Sequence, residues 1–155
     1  MGEYTATVEW RRKDETFTDN RYSRAHSWSF DGGATVPASS SPLVVKAPLS
    51  DPAGIDPEEA FVAAISSCHM LWFLSFAARK GFVVDRYRDS AIGVLSKDRE
   101  GKQAITKVRL RPDIAFSGDK RPSAAELDEL HHAAHENCFI ANSVKTEITV
   151  ESGGA

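Results

Sequence analysis

The longest uninterrupted feature of the hydropathy pattern runs from residue 60 to residue 78 and contains no Asp, Glu, Lys or Arg. Helix start and stop signals bracket it. Asp56 suits an N-cap, Pro57 the first helical position, and Glu59 the reciprocal position of a capping box. Arg79 and Lys80 suit the negative end of the helix dipole, and Gly81 the stop beyond it. The pattern predicts one helix from about residue 57 to residue 80. A second capping box, Ser123-Ala124-Ala125-Glu126, follows Pro122 and predicts a second helix. Its Leu127, Leu130, His131, Ala134 and Cys138 fall on one face.

Elsewhere the pattern is strand and turn. Residues 4–10 alternate, and so do residues 21–30, which places Tyr22, Arg24, His26, Trp28 and Phe30 on one side. Asp31-Gly32-Gly33 is a turn signal. Residues 34–55, rich in Pro, Ser and Ala, predict an ordered crossing loop with at most one short strand at Leu43-Val44-Val45. Further strands are expected near residues 90–97, 103–117 and 145–151, with a hairpin turn at residues 97–102. Linker-like composition is confined to the tail, residues 152–155. The order is β-rich, long helix, β-rich, helix, strand, which predicts an α+β class and not alternating βαβ units. With 155 residues and no internal repeat, a single domain spanning 1–155 is expected.

Composition narrows the function classes. With 41% hydrophobic and 26% charged residues the chain can build a core and is not of disordered type. Nineteen basic against 22 acidic residues give a formal net charge of −3, unlike the basic surface of a nucleic-acid binder. The apolar stretch is nearly long enough to span a bilayer, yet Ser66, Ser67, Cys68 and His69 stand at its centre. A helix apolar on all sides is also the pattern of a segment buried in a larger assembly, and that reading is preferred to a membrane span. The polar N-terminus lacks the layout of a signal peptide, so a reducing cytoplasm is the expected compartment.

Two cysteines, Cys68 and Cys138, exclude a disulfide scaffold and a four-thiolate zinc site. A lone helical cysteine is most often a small buried hydrophobe. Reactive cysteines attack as thiolates, and a mid-helix position receives no help from the helix dipole. A cation must then be supplied from elsewhere. One guanidinium at about 4 Å contributes about 4 kcal/mol at an effective dielectric near 20. Lowering a thiol by two units requires about 2.7 kcal/mol, so one well-placed arginine suffices if desolvation is otherwise offset. A mixed His/Cys metal site is the competing reading, since His131 and His135 lie four apart with Cys138 beyond them and His69 adjoins Cys68. The glutamate that follows the first His of the metalloprotease motif is replaced by His132, and no metal or other cofactor is expected.

The segment from Asp56-Pro57-Glu58 through Ala63 to Cys68 resembles the N-P-E-x-x-x-x-A-x-x-x-x-C signature of the OsmC/Ohr family, the osmotically inducible and organic-hydroperoxide-resistance proteins. His135-Glu136-Asn137-Cys138-Phe139-Ile140-Ala141-Asn142-Ser143-Val144 is similar to its second-cysteine motif, usually C-P-x-S-N. Phe139 stands where many members have Pro, and Asp56 where many have Asn. The stretch over residues 22–33 looks like a less studied OsmC-like branch. The resemblance covers most of the chain. It implies an OsmC-like α+β fold, with antiparallel sheets wrapped around the long central helix in an intertwined homodimer.

The resemblance also implies an activity: thiol-dependent reduction of organic hydroperoxides, with hydrogen peroxide as a further substrate. Cys68 would be oxidised to a sulfenic acid, Cys138 would resolve it as a disulfide, and a cellular dithiol would reduce that disulfide. Glu58 matches the motif's glutamate and would orient an arginine, for which Arg24 is chosen and Arg21 kept as the alternative. A helix over residues 57–80 separates Glu58 from Cys68 by about 15 Å. Glu58 is therefore expected to serve Cys68 of a second subunit, placing the active sites at a homodimer interface. The competing expectation is a non-catalytic OsmC-fold protein that binds a small hydrophobic or electrophilic ligand near Cys68. In either case His26, Trp28, Trp72 and Phe73 are the aromatics expected to line the pocket.

Overall fold

The computed structural model describes residues 1–151, so the tail expected to be a linker lies outside the described residues. The chain divides into two compact units, Met1–Ala60 and Phe61 onward.

The first unit is built on an antiparallel sheet of β1 (Ala6–Glu9), β2 (His26–Phe30) and β3 (Thr35–Ala38), with β2 in the centre. Trp28 faces Val8 on one side and Val36 on the other. The turn after β2 closes with Phe30 N donating to Ala34 O at 3.0 Å. Two expectations change here. The alternation over residues 21–30 becomes strand only from His26, because the residues before it turn around the Arg24 side chain. The strand in the Pro/Ser/Ala-rich stretch is at Thr35–Ala38, whereas residues 43–45 are turns with Leu43 and Val44 exposed.

Helix α1 (Pro57–Arg79) starts as the sequence predicts. Asp56 Oδ1 accepts from Glu59 N at 2.7 Å, and Glu59 Oε2 accepts from Asp56 N at 3.2 Å. Gly81, at φ +79°, turns the chain away at the other end.

The second unit carries β4 (Val83–Asp89), β5 (Ile92–Lys97), β6 (Gln103–Leu110), β7 (Pro112–Ser117), α2 (Ala124–Asn137), a 3-10 turn at Ala141–Ser143, and β8 (Glu147–Val150). β4 pairs with β7, while β5, β6 and β8 form a second sheet in which β6 and β8 run parallel. The single strand expected over residues 103–117 is two strands divided at Arg111 and belonging to different sheets. The hairpin turn at residues 97–102 is present, with Asp98 N bonded to Lys102 O at 2.8 Å.

One face of α1, Ile65, His69, Phe73 and Ala77, is buried at four-residue spacing. It serves two cores. Ile65 packs with Val108 and Leu110 of β6, bordered by Ile148 and Val150 of β8. Phe73 and Ala77 pack with Phe82, Leu130 and Ala134, bordered by Tyr87 of β4 and Ile114 of β7. His69 stands between them, 1% exposed. Contact between α1 and β5 is close enough to require glycine: a Cβ on Gly93 would lie 2.5 Å from Val62 Cγ2. The opposite face of α1 is open, with Ala63, Ala64, Ser67 and Leu71 exposed, Leu71 at 60%. By length and composition α1 could cross a membrane, but its Ile65–Ala77 stripe is occupied by these cores.

Candidate functional site

The expected site residues fall into two pairs, one in each unit. In the second unit α1 carries Cys68 and α2 ends at Cys138, which has extended backbone and caps the helix with its N–H on His135 O. Both thiols are free, Cys68 half-buried and Cys138 fully buried. They are neighbours. Burial, then hydrogen bonding with the Cys68 thiol, pushes the Cys138 thiol up to about 11. Ala141 N, from the turn that follows, donates to Cys138 Sγ at 3.3 Å and works in the opposite direction, favouring the thiolate. Phe139 is 66% exposed and meets the Trp72 ring edge-on at 5.6 Å. The chemistry that two neighbouring thiols can carry is thiol–disulfide interconversion.

The histidines weighed as metal ligands are arranged otherwise. His69 Nε2 and His131 Nδ1 are hydrogen-bonded at 3.0 Å in the interior, and burial brings each imidazole down to about 4. His132 is exposed. Among the described residues no three His, Cys, Asp or Glu side chains converge on a point that could hold a metal ion.

In the first unit Arg24 and Glu58 line one cavity of about 470 Å³. They form no ion pair with each other. The Arg24 guanidinium donates to Asn20 O at 3.1 Å, to Asn20 Oδ1 at 2.9 Å and to the Tyr22 carbonyl, and lies 3.7 Å over the Tyr22 ring. His26 supports this loop. Its Nε2 accepts from Trp28 Nε1 at 3.0 Å, so Nδ1 carries the proton that reaches Arg24 O at 2.7 Å. Arg21, the alternative arginine, is exposed and does not line the cavity.

Of the aromatics expected around a pocket, His26 lines this cavity and Trp28 does not; Phe73 is core, and Trp72 packs at its border. The cavity's aromatic wall is Trp10, Phe17 and Tyr22, with ring centroids 4.6–5.7 Å apart. These three lie in the β1–β2 connection; the sequence alternation reaches Trp10 and Tyr22 from either side but gives no sign that Phe17 joins them. The sequence signals are three aromatics within thirteen residues and the alternation that puts Tyr22 on one face with Arg24 and His26.

A family model described as OsmC-like protein matches residues 50–153. No curated protein is significantly similar in sequence. Among solved structures, the chain is similar to an OsmC-like protein of unknown function from Vibrio cholerae, at 57% identity and TM-score 0.97 over 99% of this chain and 100% of that one. An organic hydroperoxide resistance protein from Elizabethkingia anophelis shares the fold at 15% identity and TM-score 0.69, over 99% of this chain and 98% of the other. The organic hydroperoxide resistance protein OhrB of Bacillus subtilis does so at 18% identity and TM-score 0.62, over 97% and 98%. The match over residues 50–153 includes both cysteines and Glu58, and with the α+β architecture it places this chain in the OsmC/Ohr family.

Proposed function

We propose that this protein is a thiol-dependent peroxidase that reduces organic hydroperoxides, with hydrogen peroxide as a further substrate. The observation that carries the reading is the neighbouring Cys68 and Cys138 thiols in a chain of this family. The Cys68 thiolate attacks the distal peroxide oxygen, the O–O bond breaks, and the alkoxide leaves with a proton as alcohol. Cys68 is then a sulfenic acid. The Cys138 sulfur displaces its hydroxyl as water to form a disulfide, which a cellular dithiol reduces. A reducing cytoplasm suits such a cycle.

Arg24 and Glu58 complete the proposed site from a second copy of the chain. Ten residues of unbroken α1 separate Glu58 from Cys68, about 15 Å of rise, beyond the reach of one guanidinium contacting both. The open face of α1 at Ala63, Ala64, Ser67 and Leu71 is uncharged and largely apolar and fits a two-fold partner. A homodimer with interfacial sites accounts for both observations.

The test is consumption of cumene hydroperoxide with dithiothreitol as reductant. Cys68→Ser is expected to abolish turnover, and Cys138→Ser to leave a sulfenic acid that dimedone traps. Light scattering on the active protein is expected to report a dimer, and full activity from a monomer would overturn the shared site. One observation favours a second reading. Both terminal nitrogens of Arg24 are already engaged and the cavity wall is aromatic, as suits a non-catalytic binder of a small hydrophobic or electrophilic ligand. Absence of turnover with both peroxides and dithiothreitol would select that reading.

A further inference from the structure

The peroxidase chemistry makes no use of His69 and His131, yet they are the most deeply buried titratable pair among the described residues, 1% and 5% exposed. His69 is the one polar member of the α1 stripe Ile65, His69, Phe73, Ala77, and His131 lies between Leu130 and Ala134 on the buried side of α2. Each ring has one nitrogen in the shared bond. The others, His69 Nδ1 and His131 Nε2, are buried without a partner. The inter-ring bond is therefore the only polar anchor either imidazole has. Its geometry is directional. The ring planes are 12° from parallel and the centroids 5.4 Å apart, while the bonded nitrogens are 3.0 Å apart. The centroids are thus farther apart than the nitrogens by about two ring radii, so the rings meet edge to edge in one plane. Phe73 covers the His131 ring at 4.6 Å and leaves it little freedom to rotate.

Apolar packing between helices tolerates sliding and rolling, whereas an in-plane hydrogen bond between two rigid rings does not. This bond joins α1 to α2 one residue from Cys68 and seven residues from Cys138, two helical turns along the same face of α2. We propose that His69 and His131 are positioning residues: their bond fixes the seat of α2 on α1 and so holds the Cys138 thiol against Cys68. The consequence for turnover rests on the peroxidase reading, but the positioning itself does not.

The bonded atoms make the test specific. Gln places an amide group where His69 Nε2 lies, and Asn places one where His131 Nδ1 lies. Thus His69→Gln and His131→Asn retain the bond, while the swapped amides, His69→Asn and His131→Gln, miss it at nearly equal polarity. In a Cys68→Ser background, iodoacetamide alkylation of Cys138 reports the seat of α2 without peroxide chemistry. The matched amides are expected to stay within about threefold of the parent rate, and the swapped amides to raise it tenfold or more. With both cysteines present, diamide oxidises the dithiol to a disulfide and is itself reduced to the hydrazine, and the swapped amides should slow that step.

Alkylation rates within threefold of the parent in all four variants would overturn the proposal. So would four equal increases, which would assign the pair to ring volume alone. Should a swapped variant fail to fold where the matched amide folds, the same dependence on the bonded atom is read in stability, and the proposal stands. If the alkylation pattern holds but diamide yields no disulfide even in the parent, the positioning stands and the redox reading of the two thiols falls.

Discussion

Acidification from pH 7 to pH 4.5 is expected to destabilise this fold through His69 and His131, and the size of the effect follows from their surroundings. Burial is the largest influence on both. The charges of His131 and His135 add to it at His69, while Asp128 and Asp89 partly oppose it at His131. Each imidazole is brought from 6.5 to about 4. Between those values the unfolded chain binds a proton that the folded chain refuses, so stability falls as the pH falls through 6.5 and levels off below 4. The slope is about 1.4 kcal/mol per pH unit for each ring. Over this interval the loss is about 2.4 kcal/mol for one ring and about 5 kcal/mol for the pair, a large share of a total near 5–15 kcal/mol. The assay is urea unfolding at pH 7, 5.5 and 4.5 for the parent and for the double variant His69→Gln/His131→Asn. The amides do not titrate, while every carboxylate and the remaining histidines are common to both proteins. The parent is expected to lose about 5 kcal/mol more than the variant over the interval. Parallel pH curves for the two proteins would refute the reasoning.

Because the Cys138 thiol is pushed up to about 11, disulfide formation after oxidation is expected to accelerate with pH, about tenfold per unit between pH 7 and 9. Quenched-flow trapping of the Cys68 sulfenic acid with dimedone measures this, and a plateau below pH 8 would contradict it. Gly93→Ala is expected to cost about 1–3 kcal/mol in urea unfolding, because the added Cβ would meet the stiff Val62 side chain at 2.5 Å. Val62→Ala in the same chain should recover part of that loss, and simple additivity of the two substitutions would argue against the contact.

The elements legible in the sequence are those specified by local chemistry. Both helices carry their own capping boxes, at Asp56 with Glu59 and at Ser123 with Glu126, and both begin where those residues place them. Elements that depend on distant partners were hidden. β3 contains Pro37, which argues against a strand until the segment is seen as the sheet edge beside Ser27. β4 reads Val83-Val84-Asp85-Arg86-Tyr87-Arg88-Asp89, without alternation, and becomes a strand by pairing with β7. The sequence marks His69 and His131 as candidate metal ligands, not as partners of each other. Their bond spans 62 residues of chain, and nothing local in either segment signals it. Of the cavity wall, Tyr22 was legible on one face with Arg24 and His26, whereas its meeting with Trp10 and Phe17 was not, since the β1–β2 connection folds the three together.

The order in which the chain visits the two cores beside α1 has a consequence for how the second unit can open. After α1, Phe82 and Tyr87 join the core around Phe73, residues 91–110 build the core around Ile65, residues 114–134 return to the first, and residues 140–150 return to the second. The two are interleaved, so no single cut between β4 and β8 puts the two cores on separate fragments. A fluctuation that frees one core must also pull on the segments tethering the other. Amide hydrogen exchange in the buried strands β6 and β7 should therefore report one shared opening event and not two separable ones.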